Sequence, residues 1–177
     1  MLLNAKKLAF LGLLLAFADL LIIFSGILEF NTLFLLAAAS FCVGIAIRET
    51  DIRIGFGFYL ACIFIGIMLA PNKLYCITFA AMGLYLVLME YSWGKVIGRR
   101  SVKDKTKVFW MVKYLIFNLI FIPMILFFPK LIYQGSISPF ILLLMIIGGQ
   151  VALYLYDYAY HYFQSVIWGK LRMILKL

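Results

Sequence analysis

LAFLGLLLAFADLLIIFSGIL, residues Leu8 to Leu28, carries a single ionisable side chain, Asp19, in 21 residues. It follows Lys6 and Lys7, so it has the outline of a secretory signal: a basic start and then an apolar run. A signal core is typically about 7–15 residues long, whereas this run has 21. The nearest cluster of small residues, Ala37-Ala38-Ala39-Ser40, already lies inside the next apolar run. The segment is therefore expected to stay in the membrane as a spanning helix, since about 17–25 apolar residues cross a hydrocarbon core.

The same pattern recurs at 33–47, 54–70, 74–93, 108–128 and 139–168. Arg48-Glu49-Thr50-Asp51-Ile52-Arg53 separates the second run from the third as a charged turn that lipid would penalise. Pro71-Asn72-Lys73 breaks the chain before the fourth, because proline lacks an amide donor and disfavours helix in the residue before it. Gly94 to Lys107 is the one long polar stretch and reads as a solvated loop. Pro139 opens the sixth run at a position where helices tolerate proline. That run carries Gly148-Gly149 and exceeds what one crossing needs.

These runs consume nearly all of the 177 residues, of which 67% are apolar and 13% charged. The expectation is one all-α domain over 1–177: a polytopic membrane protein built as a compact bundle of six transmembrane helices. Soluble catalytic and nucleic-acid-binding folds are excluded on this composition, and no nucleic-acid partner is expected. The net charge of +9 instead reports orientation, because cytoplasmic loops of membrane proteins collect Lys and Arg. With both termini cytoplasmic, fourteen of the 16 Lys and Arg fall inside, and only Lys73 and Lys130 fall outside. Trp93, Trp110 and Trp168 then lie at the cytoplasmic ends of spans four, five and six, at headgroup depth.

Cys42, Cys62 and Cys76 lack metal-site spacing and read as free core thiols, and no metal is expected. Walker A, His-Glu-x-x-His and Gly-x-Ser-x-Gly patterns are absent. Uphill transport by this chain would need an ion gradient or the energy of other subunits.

Four groups of residues carry what functional signal there is. Ala5, Ala9, Gly12 and Ala16 fall on one stripe of the first helix at about 3.6 residues per turn. Such a stripe permits close backbone approach, either by a neighbouring helix of the same chain or by a docking partner. Asp19, Asn118 and Gln150 lie near mid-depth in spans one, five and six. They either bond one another and backbone carbonyls or line a polar ligand pocket or ion path. Gln150, Tyr154, Asp157, His161 and Gln164 form a polar stripe on span six. Asp157 and His161 are spaced to pair, and His161, the single histidine, admits an axial haem role as an alternative. On the outer side, Ser25, Glu29, Asn31, Asn72, Lys73, Tyr75, Tyr133, Gln134 and Ser136 cap helices and meet water, or ring one pocket.

The six-span pattern, with a small-residue stripe of the Ala-x-x-x-Ala kind at Ala5/Ala9 and Gly12/Ala16, resembles the substrate-binding membrane subunit (S component) of energy-coupling factor transporters. These are prokaryotic vitamin and micronutrient importers of the cell membrane. The second pair departs from the pattern in having Gly for Ala. The resemblance implies docking through helix one to a transmembrane coupling protein and two ATPase subunits. It also implies capture of a small molecule on the extracellular side, beneath loops that correspond to Glu29–Thr32 and Pro71–Tyr75. The chain itself would not be an enzyme and would need no cofactor. Two rivals stay open: a non-transporting accessory or assembly subunit, and a membrane enzyme using Asp19 or the Asp157/His161 pair as acid and base.

Overall fold

The computed structural model describes residues 5–28, 31–98, 104–128, 135 and 138–175, and among these every regular element is a helix. The helices are α1 (Ala5–Ile27), α2 (Thr32–Glu49), α3 (Ile52–Leu69), α4 (Lys73–Gly98), α5 (Lys105–Phe127) and α6 (Pro139–Tyr162). A π-helical stretch, Phe163–Trp168, joins α6 to α7 (Gly169–Leu175) without a break. Six segments are long and apolar enough to cross a membrane, and each falls within a few residues of an expected span. In hydrocarbon the backbone must satisfy its own polar groups, which selects helix for such runs. The connections are set by local chemistry. Asp51 caps α3, its Oδ1 accepting from the amides of Arg53 and Ile54 at 2.8 and 2.9 Å. Ser138 caps α6 ahead of Pro139, accepting from the Ile141 amide at 3.3 Å.

α2 is the central helix, flanked by α1, α3 and α4. Its residues 39–47 are all buried, and around it Ala18, Ile22, Leu36, Val43, Cys62 and Phe79 are sealed into one core. Cys42, Cys62 and Cys76 are free, buried thiols, as the sequence implied. A second core, including Phe41, Leu86, Met89, Phe109, Ile116, Leu153 and Tyr160, joins α2 and α4 to α5 and α6.

α6 lies at the edge of this arrangement. Its closest approach is to α5, and it returns to α2 through the π-helical stretch. Close contact with α2 requires a glycine: a Cβ at Gly44 would overlap the Tyr160 ring. The α5–α6 contact has the same need, since a Cβ at Gly149 would overlap Phe121. The membrane-spanning segment Pro139–Met173 has 35 residues, about 52 Å at 1.5 Å per residue. That length overshoots a hydrocarbon core of about 30 Å.

Two sequence expectations shift. The second span does not stop at Ile47 but continues helical through Glu49, whose side chain is buried. Trp168 is not an interfacial anchor; it is buried, packing on the Phe10 ring at 5.4 Å. One bond explains both, for the Trp168 indole donates to Glu49 Oε1 at 3.0 Å. A charged turn expected to sit in water is thus partly folded back into the protein.

Candidate functional site

At one end of the bundle, polar side chains from six helices and the π-helical stretch gather in three neighbouring sets. Glu49 at the end of α2 accepts from the Trp168 indole, and Arg172 Nε of α7 lies 3.2 Å from the same oxygen. Lys7 of α1 donates to the Glu49 carbonyl at 2.9 Å. Lys7 and Arg172 both converge on one residue, so the first and last helices meet at the same end.

Beside it, Glu90 of α4 gathers a second set of partners. Arg48 reaches its Oε1 with Nε at 2.8 Å and Nη2 at 2.7 Å, and the Tyr160 hydroxyl donates to that oxygen at 2.6 Å. The Arg48 guanidinium also lies 5.3 Å from the Tyr160 ring centroid, within cation–π range.

The third set is the most deeply placed. Lys113 of α5 and Asp157 of α6 are 2% and 3% exposed. Lys113 Nζ donates to Asp157 Oδ2 at 2.8 Å and lies 3.1 Å from His161 Nε2. An Nε2 that accepts from an ammonium leaves the ring proton on Nδ1. The faces of Phe109 and Trp110, with centroids 4.5 and 4.9 Å from Nζ, complete the surroundings of the ammonium. A buried charge of this kind is tolerated only when paired and hydrogen-bonded, and here both conditions hold.

Glu90, Lys113 and Asp157 meet in a cleft of about 240 Å³ whose mouth includes Arg48, Trp93, Thr106, Trp110 and His161. Arg48 keeps 35% of its side chain exposed and His161 keeps 49%. The cleft can therefore present cationic and imidazole donors to a ligand while its paired carboxylates stay behind them.

The residues expected to act from the sequence are distributed differently. Asn118 and Gln150 bond each other across α5 and α6, with Gln150 Nε2 donating to Asn118 Oδ1 at 3.0 Å. Each also donates to a carbonyl of its own helix, from Asn118 to Tyr114 and from Gln150 to Ile146. Asp19 is not with them. It is buried in the α1–α4 core, close enough to the Cys62 and Cys76 thiols to interact electrostatically, and its Oδ1 has no hydrogen-bond partner among the described residues.

Asn31 is exposed at the start of α2. Asn72 caps α4 by accepting from the Leu74 amide at 3.1 Å, Lys73 is exposed, and Tyr75 packs against the first core. Ser25 is buried and donates to the Ile22 carbonyl at 2.7 Å. Glu29, Tyr133, Gln134 and Ser136 lie outside the described residues.

On span six, Asp157 and His161 stand 3.8 Å apart, with Lys113 reaching both. A haem iron would have to compete with Lys113 for His161 Nε2. Among the described residues no group of three or more His, Cys, Asp and Glu is placed to hold a metal ion. Gln164 is buried in the π-helical stretch, its amide atoms lacking a hydrogen-bond partner among the described residues.

Sequence reasoning counted Lys113 only as one more cytoplasmic cation and passed over Arg48, Glu49, Glu90 and Tyr160 as members of a site. A usable signal was present: Lys113 and Glu90 are opposite charges inside apolar runs, where each needs a partner.

The stripe Ala5, Ala9, Gly12 and Ala16 is exposed along its whole length. The opposite face of α1, including Leu11, Leu14, Ala18 and Ile22, is the one that enters the core. A Cβ added at Gly12 would meet nothing within 4 Å. By contrast, Ser40 and Gly44 on α2 are used internally, against Tyr156 and Tyr160.

Comparison of the chain with protein-family models, with curated proteins and with solved structures finds no match in any of the three.

Proposed function

We propose that this chain is a multi-pass membrane subunit of the S-component kind in a prokaryotic cell membrane. It captures a small molecule at the outer end and docks through α1 on a transmembrane coupling protein served by two ATPases. The observation that carries this reading is the bare small-residue face of α1. Helix association in lipid depends on close backbone approach rather than on hydrophobic burial, so Ala and Gly at the surface favour a partner helix. A helix facing only lipid gains nothing from a row of small residues. The chain's own core uses the other face of α1 and leaves this one open. Residues available to an external ligand are Asn31, Asn72, Lys73 and Tyr75, beside two adjacent helix starts, with Glu29 in the first of these connections.

The test is affinity purification of the tagged chain from its native membrane in mild detergent, followed by identification of retained subunits and small molecules. Recovery of a membrane coupling protein with two ATPases, lost in Gly12→Leu, is the expected result. A stable complex without ATPases would assign the same face to an accessory or assembly role instead. The enzymatic rival makes a different demand, since it would require Asp157 and His161 for turnover rather than for holding α5 to α6.

A further inference from the structure

We propose that the cleft at the charged end, together with the apolar groove that runs from it along α5, is a binding site for one acidic phospholipid. Its headgroup phosphate would meet Arg48, Thr106 and His161, and its acyl chain would lie along α5.

Trp110 lines both the polar cleft and a groove of about 820 Å³ on α5, so the two adjoin at that residue. The groove continues past Leu115 and Leu119 to Pro123. At about 1.5 Å per residue this is roughly 20 Å of helix, enough for a chain in a leaflet about 15 Å deep. Its walls are apolar and exposed, with Leu115 and Leu119 at 67% and 69%.

The headgroup end has donors to spare. Arg48 spends Nε and Nη2 on Glu90 and lies over the Tyr160 ring, and no hydrogen bond among the described residues engages its Nη1. His161 gives Nε2 to Lys113, so its Nδ1–H is the nitrogen left for a ligand. Thr106 is exposed in the first turn of α5, where the helix N-terminus favours negative charge. Lys107, exposed one residue on, is paired with Asp104 at 3.5 Å, so it adds no free charge and the headgroup rests on Arg48, Thr106 and His161. A free phosphate would use only the cleft, whereas the lipid uses cleft and groove together, which is why the occupant is taken to be the lipid.

The test is native mass spectrometry of the full chain titrated with phosphatidylglycerol or phosphatidylcholine of matched chains. Wild type is expected to retain phosphatidylglycerol about fivefold better or more, the scale of one basic contact at a membrane surface. Thr106→Glu should erase that preference. Its acid sits well in a first helical turn, so the fold is kept and the loss reads as repulsion. Leu119→Trp, which fills the groove from an exposed position, should weaken both lipids alike. Equal retention of the two lipids by wild type, or an unchanged preference in Thr106→Glu, would overturn the proposal. Full displacement of bound lipid by millimolar glycerol phosphate would also overturn it, in favour of a soluble phosphate ligand.

Discussion

Lys113 Nζ on α5 sits 2.8 Å from both carboxylate oxygens of Asp157 on α6, with each side chain only 3% exposed. Oδ2 takes the hydrogen bond, while Oδ1 is in ionic contact without hydrogen-bond geometry. Breaking a buried pair from one side leaves an uncompensated charge, at a typical cost of about 3–5 kcal/mol. Lys113→Met and Asp157→Leu should therefore each lower the melting temperature in detergent sharply. The double variant should recover most of the loss, because replacing a whole buried pair with apolar residues is often neutral. A double variant as unstable as either single one would show that the pair is not the clasp between these helices.

Glu49 makes a second clasp, and it is sensitive to a smaller change. Glu49→Gln keeps the shape but removes the charge that faces Arg172 and the Trp168 indole. Charge-assisted hydrogen bonds contribute about 1.5–3 kcal/mol, so α7 and the π-helical stretch should loosen ahead of the rest. Hydrogen exchange is the check: amides around 164–175 should lose protection while those of α2 and α4 keep it. Uniform loss across the bundle would mean that Glu49 supports the global fold instead.

The spans were legible because each is a long apolar run ended by proline, a capping residue or a charge. Pro71-Asn72-Lys73 and Pro139 mark helix starts that the structure reproduces, while the caps at Asp51 and Ser138 emerge only from the structure. Pairings were not legible, because Lys113 and Asp157 are separated by 44 positions. Their meeting depends on how α5 and α6 are rotated against each other, which apolar periodicity leaves undetermined when nearly every face is apolar. The burial of Glu49 was hidden for a related reason. A charge at a helix end reads as solvated until a distant Trp168 and Arg172 are folded onto it.

Asn118 and Gln150 illustrate how little a mid-membrane amide pair need contribute. Each has a fallback carbonyl on its own helix. Side-chain hydrogen bonds between spans average about 0.6 kcal/mol. The double variant Asn118→Leu/Gln150→Leu should thus shift thermal stability by no more than a degree or two. If instead it abolishes retention of a purified small molecule, the pair belongs to a ligand pocket and the bond between Asn118 and Gln150 is a resting state.

Two glycines on neighbouring helices should respond to alanine with opposite signs. A Cβ at Gly44 would collide with Tyr160, whose hydroxyl is held by Glu90 and whose backbone belongs to α6, so the ring has little freedom to retreat. Overpacking of this kind costs about 1–3 kcal/mol. It should also pull Tyr160 off Glu90, leaving Arg48 as that carboxylate's remaining partner. A Cβ at Gly12 meets nothing within 4 Å, and Gly to Ala inside a helix is favourable by about 0.5–1 kcal/mol. Gly44→Ala should therefore melt earlier than wild type and Gly12→Ala later, measured in one detergent. A destabilised Gly12→Ala would place another element of this chain against the α1 stripe and remove the ground for reading that face as open to a partner.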